Sequence, residues 1–346
     1  MSEFRIDQIK SQDASRGPDV AGITTFTGTS GIVMPSGDTA YRGGRDRGII
    51  FGGFLNPANI NGIDYITIST TGDSVSFGDL SETADSAAAF ASSTRGLCAG
   101  GARTPSRSNS NLIDYITISS TGNAFDFGDL ASGSLYQGTG CSNNTRGVIY
   151  TNAGSPDTQH YIDYVEIATK GNAIVFGEAF YPQDNNRSGV GAVSNSTRGL
   201  FAGGGYPTVT NTIEYLTFST LGSSADFGDL LNPVRYPIAC SSSTRGVFYE
   251  TGPRSPFSPA AVNVISYVTI NSLGNAVDFG DGNASSAYGG CSNQIRGAFA
   301  GVGPSPYVNI EYVTIATTGN PTDFGDISSG STSDMMSTSD CHGGIG

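Results

Sequence analysis

Histidine is scarce in this chain: only His160 and His342 occur in 346 residues. Serine–histidine–aspartate chemistry needs an imidazole held between a nucleophile and a carboxylate. One of these histidines stands in a loop-like stretch and the other close to the end of the sequence, and no such set is expected around either. A zinc or copper centre needs several nitrogen or sulfur ligands together. The five cysteines do not supply them. Cys141, Cys240 and Cys291 fall five residues before an Arg-Gly pair, where sister repeats carry Phe90 and Val193. They read as small buried apolar residues. Asp226 and Asp229 could offer oxygens to calcium, but strand alternation points them to opposite faces. Gly203-Gly204-Gly205 closes a strand instead of opening a helix, so it makes no phosphate loop. The sequence predicts no enzyme and no cofactor.

The charged residues that remain keep a beat. Arg-Gly recurs at Arg47, Arg95, Arg146, Arg198, Arg245 and Arg296, with spacings of 48, 51, 52, 47 and 51 residues. Phe-Gly-acid recurs in step, at Phe77, Phe127, Phe176, Phe227, Phe279 and Phe324. A period near 50 residues, built from short strands, is the signature of a β-propeller. The fold expected is all-β: a six-bladed kelch-like β-propeller over residues 41–346, closed by its last strand, with an extended N-terminal arm over residues 1–40. The six arginines have two readings. In one, each is structural and pairs with a neighbouring carbonyl or with a Phe-Gly-acid carboxylate, stapling adjacent blades. In the other, the ring of arginines grips an anion.

Composition agrees with this architecture. Glycine is abundant at 49 residues, tryptophan is absent, and no stretch keeps a helical period. The net charge of −13 argues against binding nucleic acid, which needs clustered cations. Half of the thirty acids sit at repeat positions, so the acidity is largely structural. No apolar run approaches the roughly 20 residues of a membrane span, and the start shows no apolar secretory segment.

The fourth repeat shows how one blade is written. Arg198-Gly199-Leu200-Phe201-Ala202 is a strand ending in a double glycine. Thr212-Ile213-Glu214-Tyr215-Leu216-Thr217-Phe218 is the strongest strand, apolar on both faces as a blade between two neighbours requires. Ala225-Asp226-Phe227-Gly228-Asp229 is a short outer strand, and Tyr236-Pro237-Ile238-Ala239-Cys240 a small-residue inner strand of the next blade. Residues 335–344 have the same inner-strand texture and are expected to complete the first blade, removing open sheet edges. The double glycines at Gly52, Gly100 and Gly203, the following Tyr65, Tyr115, Tyr164, Tyr215, Tyr267 and Tyr312, and the outer-strand aromatic resemble a kelch repeat. Kelch repeats usually place tryptophan where this chain places phenylalanine.

Two regions escape the repeat. Loops near 103–111, 152–160, 205–211 and 251–263 vary, and Tyr206, Pro207, Arg254 and Phe257 are candidate binding residues because rigid scaffolds carry function on such loops. The arm carries Ile23, Phe26, Ile32 and Val33 in a β-prone stretch too short for its own core, and these are candidate anchoring residues. The run Gly17-Pro18-Asp19-Val20-Ala21-Gly22-Ile23-Thr24-Thr25-Phe26, then Met34-Pro35-Ser36-Gly37-Asp38-Thr39 and Tyr41-Arg42-Gly43-Gly44-Arg45, is similar to the start of virion structural proteins of marine tailed phages, cyanophages especially. The Ile-Asp-Tyr-Ile-Thr-Ile and Asp-Phe-Gly-Asp-Leu segments are similar to the same group. The resemblance covers the chain and implies a particle component, multimeric in the virion, with no catalytic residues. Its implied partners are other virion proteins through the arm and a host-surface glycan or protein through the loops. A free-standing kelch-type module binding a glycan or protein is the alternative.

Overall fold

The computed structural model describes residues 46–55, 57–103, 108–133, 135–151, 161–180, 187–205, 208–251, 262–305, 307–330 and 333–345. Six four-stranded antiparallel sheets account for nearly all of the strands, and one short three-stranded sheet lies beside them. Each large sheet follows the sequence beat: a small-residue inner strand, the Arg-Gly strand, the tyrosine strand, and the Phe-Gly-acid outer strand. Sheet IV is Gly191–Ser194, Arg198–Ala202, Thr212–Thr217 and Ala225–Asp229. Sheets II, III, V and VI repeat it with inner strands Ala88–Ala91, Thr139–Ser142, Ile238–Ser241 and Gly289–Ser292. Sheet I takes its inner strand from the far end of the chain. Met336–Ser339 pairs with Arg47–Leu55 in the register Gly48 to Ser339 and Phe51 to Met336.

The inner strands touch in order around a closed ring, from sheet II through VI to sheet I and back to II. The arrangement is that of a β-propeller-like fold. Between consecutive sheets lie six apolar clusters. One holds Ile49, Phe51 and Ile63 against Cys98 and Ile116; another holds Val193, Leu200 and Ile213 against Phe248 and Val268. Both faces of every tyrosine strand are thus covered, which explains why these strands do not alternate cleanly in polarity.

The Arg-Gly glycine owes its recurrence to this packing. A Cβ at Gly297 would stand 2.2 Å from Cys240 Sγ, and one at Gly199 would stand 2.7 Å from Cys141 Sγ. The inner-strand cysteine of one sheet therefore fills the space over the glycine of the next. All five cysteines are free and buried. Burial pushes the thiols of Cys98 and Cys291 up to about 12, which leaves them unreactive.

Candidate functional site

The six arginines all reach forward by one sheet. Arg47 Nη1 donates to the carbonyl of Ile118, Arg95 to Ile167, Arg146 to Phe218, Arg198 to Ile270, Arg245 to Ile315 and Arg296 to Ile68, at 2.5 to 3.3 Å. Each guanidinium also lies over the tyrosine of its own sheet, 4.5 to 5.1 Å from the ring centre. The tyrosine meets the Phe-Gly-acid phenylalanine edge-on, as Tyr215 meets Phe227 at 6.1 Å. Of the two structural partners that the sequence offers these arginines, the geometry uses the carbonyl. Each guanidinium is thereby bonded to a carbonyl of the next sheet and stacked on a ring of its own.

The Phe-Gly-acid triplet makes a second layer of inter-sheet bonds. Gly171 N donates to Phe127 O at 2.9 Å, and Ala173 N donates to Asp129 O at 2.7 Å. The equivalent glycine bond recurs at all six junctions, ending with Gly72 N on Phe324 O. The backbones come so close that a Cβ on Gly128, whose φ is +151°, would lie 2.5 Å from Gly171 O. Asn172 Oδ1 accepts from Asp129 N at 3.1 Å, which accounts for the Gly-Asn turn that keeps step with the triplet.

A third layer was hidden in the acids that precede the tyrosines. Each lies buried and receives the loop that follows the previous sheet's outer strand. Asp163 accepts from Ala131 N, Ser132 N and Ser132 Oγ. Asp114 accepts from Ser81 Oγ, Glu214 from Phe180 N, Glu311 from Asn283 Nδ2 and Asp64 from Ser329 N. The fifth repeat has Ser266 at this position. Its carboxylate comes instead from Glu250 on the neighbouring strand, which accepts from Leu231 N, Asn232 N and Ser266 Oγ. In that repeat Glu250-Thr251 stands where the second and fourth repeats carry Gly100-Gly101 and Gly203-Gly204.

Two of these carboxylates carry a buried ion pair. Arg103 Nη1 lies 2.7 Å from Asp114, and Arg187 Nη1 lies 2.5 Å from Glu214, with both arginine side chains at most 2% exposed. Each arginine also binds carbonyls, Gly100 O and Gly203 O respectively. Arg103 stands at the edge of a loop read from sequence as a binding surface, yet it serves the interior. Burial raises the pKa of Asp163, Glu250 and Glu311 above the usual carboxylate range, against the hydrogen bonds that pull it down.

The axis carries the fourth layer. Ser142 Oγ donates to Ala91 O, Ser194 to Ser142 O, Ser241 to Ser194 O, Ser292 to Ser241 O and Ser339 to Ser292 O. The chain of serines stops at Ala91. There His342 Nε2 meets Ala91 O at 3.0 Å, while Gly344 N donates to Nδ1. The short 3-10 turn Gly343–Ile345 packs across this end so closely that a Cβ on Gly344 would meet Ser142 O at 1.8 Å. The imidazole is pulled down to about 4 by burial.

Above this plug the axis opens into a cavity of about 150 Å³. Its waist is formed by Ala89, Gly140, Ala192, Ala239, Gly290 and Ser337. Its mouth holds Ser86, Gln137, Tyr236, Tyr288 and Asp334. This is the candidate site. The small-residue inner strands signalled a crowded axis, but nothing in the period showed that one end is closed and the other open.

Tyr206, Pro207, Arg254 and Phe257, and the arm residues Ile23, Phe26, Ile32 and Val33, lie outside the described residues. Among the described residues no three His, Cys, Asp or Glu side chains gather as metal ligands would. No helix there is long and apolar enough to cross a membrane. No family model matches the chain, and no curated protein matches it.

Proposed function

We propose that the chain is a six-bladed kelch-like propeller acting as a non-enzymatic structural component of a phage virion. Residues 1–40 anchor it to head, neck or tail, and the ring presents its loops and axial mouth to a neighbouring particle protein or a host surface. One observation carries the non-enzymatic part of this reading. The repeated chemistry-bearing residues, six arginines and six buried carboxylates, are engaged in bonds between sheets. Such a ring suits a display scaffold. The similarity of the first forty-five residues and of the repeat segments to virion proteins of marine tailed phages supports the particle assignment. The open axial cavity favours the second reading, a free-standing kelch-type module binding a glycan or protein.

Particle purification separates the two. The chain should co-sediment with intact particles in many copies, and deletion of residues 1–40 should abolish incorporation while leaving a folded ring. Recovery of the full chain only in the soluble host fraction refutes the virion reading.

A further inference from the structure

We propose that the 3-10 turn Gly343–Ile345 is an acid-released plug of the axis, held in place by the neutral ring of His342 and freed when that ring takes a proton. The device holds whether or not the chain belongs to a particle.

The inner strands are arranged to receive one imidazole. At the register position opposite the Arg-Gly glycine, five sheets carry Ser142, Ser194, Ser241, Ser292 and Ser339, and sheet II carries Ala91. Each serine donates its hydroxyl to the carbonyl of the sheet before it. Sheet II has no hydroxyl to give at this position, and His342 is bonded there. Its Nε2 lies 3.0 Å from Ala91 O and 3.2 Å from Ser142 Oγ. The other ring nitrogen fixes the tautomer. Gly344 N donates to Nδ1 at 3.0 Å, so Nδ1 presents a lone pair and the proton sits on Nε2, which donates to Ala91 O.

The turn depends on that tautomer. It is seated tightly on the ring: a Cβ on Gly343 would collide with Ser194 O and Ser242 O. A second proton on the imidazole makes Nδ1 a donor facing the Gly344 N–H, and the bond between ring and turn is lost. Among the described residues no carboxylate bonds the imidazole to offset the new charge. The inner strands packed against it carry no carboxylate; their titratable groups are Cys141, Cys240 and Cys291, whose sulfurs face Gly199, Gly297 and Gly48 of other sheets. Burial keeps the adjacent Cys341 a neutral thiol. Asp340 Oδ1 accepts from Arg47 N, and Asp46 Oδ1 accepts from Asn293 Nδ2. The arginines that open the neighbouring strands bond to carbonyls of the next sheet.

The docked ring therefore resists protonation, and burial pulls it from 6.5 down to about 4. A released ring takes its proton from about pH 6.5 downward, so acid favours release. The balance moves by about a hundred-fold between pH 7 and pH 4. His342 lines the floor of the axial space. Release of the turn uncovers that floor, and the axis loses its closed end.

Hydrogen exchange of the full chain, followed by mass spectrometry from pH 7 to pH 4 and corrected for intrinsic rates, tests the proposal. Protection of residues 342–345 should fall by about a hundred-fold, while the inner strands Gly191–Ser194 and Ile238–Ser241 keep theirs. His342→Gln can accept from Gly344 N and donate to Ala91 O but takes no proton, and should hold its protection at both ends of the series. His342→Ala serves if the glutamine variant does not fold, and should leave the turn unprotected already at pH 7. Three results in the pH series overturn the proposal: protection that persists unchanged to pH 4, protection lost in step with the inner strands, or an equal fall in His342→Gln. Parent-like protection in His342→Ala at pH 7 does the same.

Discussion

The glycine of the Phe-Gly-acid triplet should cost more to replace than a glycine of the same backbone conformation beside it. Gly128 and Gly171 face each other across the junction of sheets II and III, with φ of +151° and +153°. A Cβ on Gly171 meets nothing within 4 Å, whereas one on Gly128 would stand 2.5 Å from Gly171 O. Gly171→Ala therefore suffers backbone strain alone, about 1–3 kcal/mol. Gly128→Ala suffers the same strain and also forces the sheets apart. That loosens the bonds from Gly171 N to Phe127 O and from Ala173 N to Asp129 O, each contributing about 0.5–1.5 kcal/mol. The expected losses are about 2 kcal/mol for Gly171→Ala and about 4 kcal/mol for Gly128→Ala. In a ring of about 300 residues they correspond to melting decrements of roughly 3 °C and 6 °C. Differential scanning calorimetry and urea titration of the two variants provide the measurement. Equal losses would mean that the triplet is not an inter-sheet staple, and the explanation of its recurrence would fall.

The other predictions concern the remaining layers. Arg187→Met should destabilise by about 3–5 kcal/mol, because it strands the buried Glu214 carboxylate; the pair Arg187→Met, Glu214→Leu should recover most of that in chemical denaturation. Arg198→Ala should lower stability by about 1–3 kcal/mol through loss of the bond to Ile270 O and the stacking on Tyr215, and Arg198→Lys should recover only part. The folded pKa of Asp163 lies above its unfolded value near 4. Its contribution therefore falls as pH rises above about 4 and through the folded value, and Asp163→Asn should flatten that loss of stability. His342 acts in the opposite sense: its folded value of about 4 lies below 6.5, so its contribution is present above pH 6.5 and is lost as pH falls toward 4. His342→Gln should remove that acid limb from a pH series of melting curves.

Much of the ring was legible because its signals are local and repeated. Strand order followed from the tyrosine strands and the Arg-Gly beat. Closure followed from the small polar texture before His342, and the structure places Met336–Ser339 beside Arg47–Leu55. What escaped was tertiary. The acid before each tyrosine looked like one more repeat position, and only spatial neighbours such as Ala131 N and Ser132 N show what it receives. The exchange of Ser266 for Glu250 involves residues sixteen apart on adjacent strands, invisible to a period of fifty. Arg103 and Arg187 occur once each, so no repeat predicted their buried pairing. The axial cavity depends on six strands meeting at one axis and on a turn folding across its end. No single stretch of sequence encodes that space.

The particle assignment is tested most directly by a side-chain-resolution reconstruction of a purified phage particle whose genome encodes this chain. The account predicts a six-sheet ring on the particle surface, bound through residues 1–40, with its axial mouth facing outward. A complete particle reconstruction with no density for the chain would contradict it.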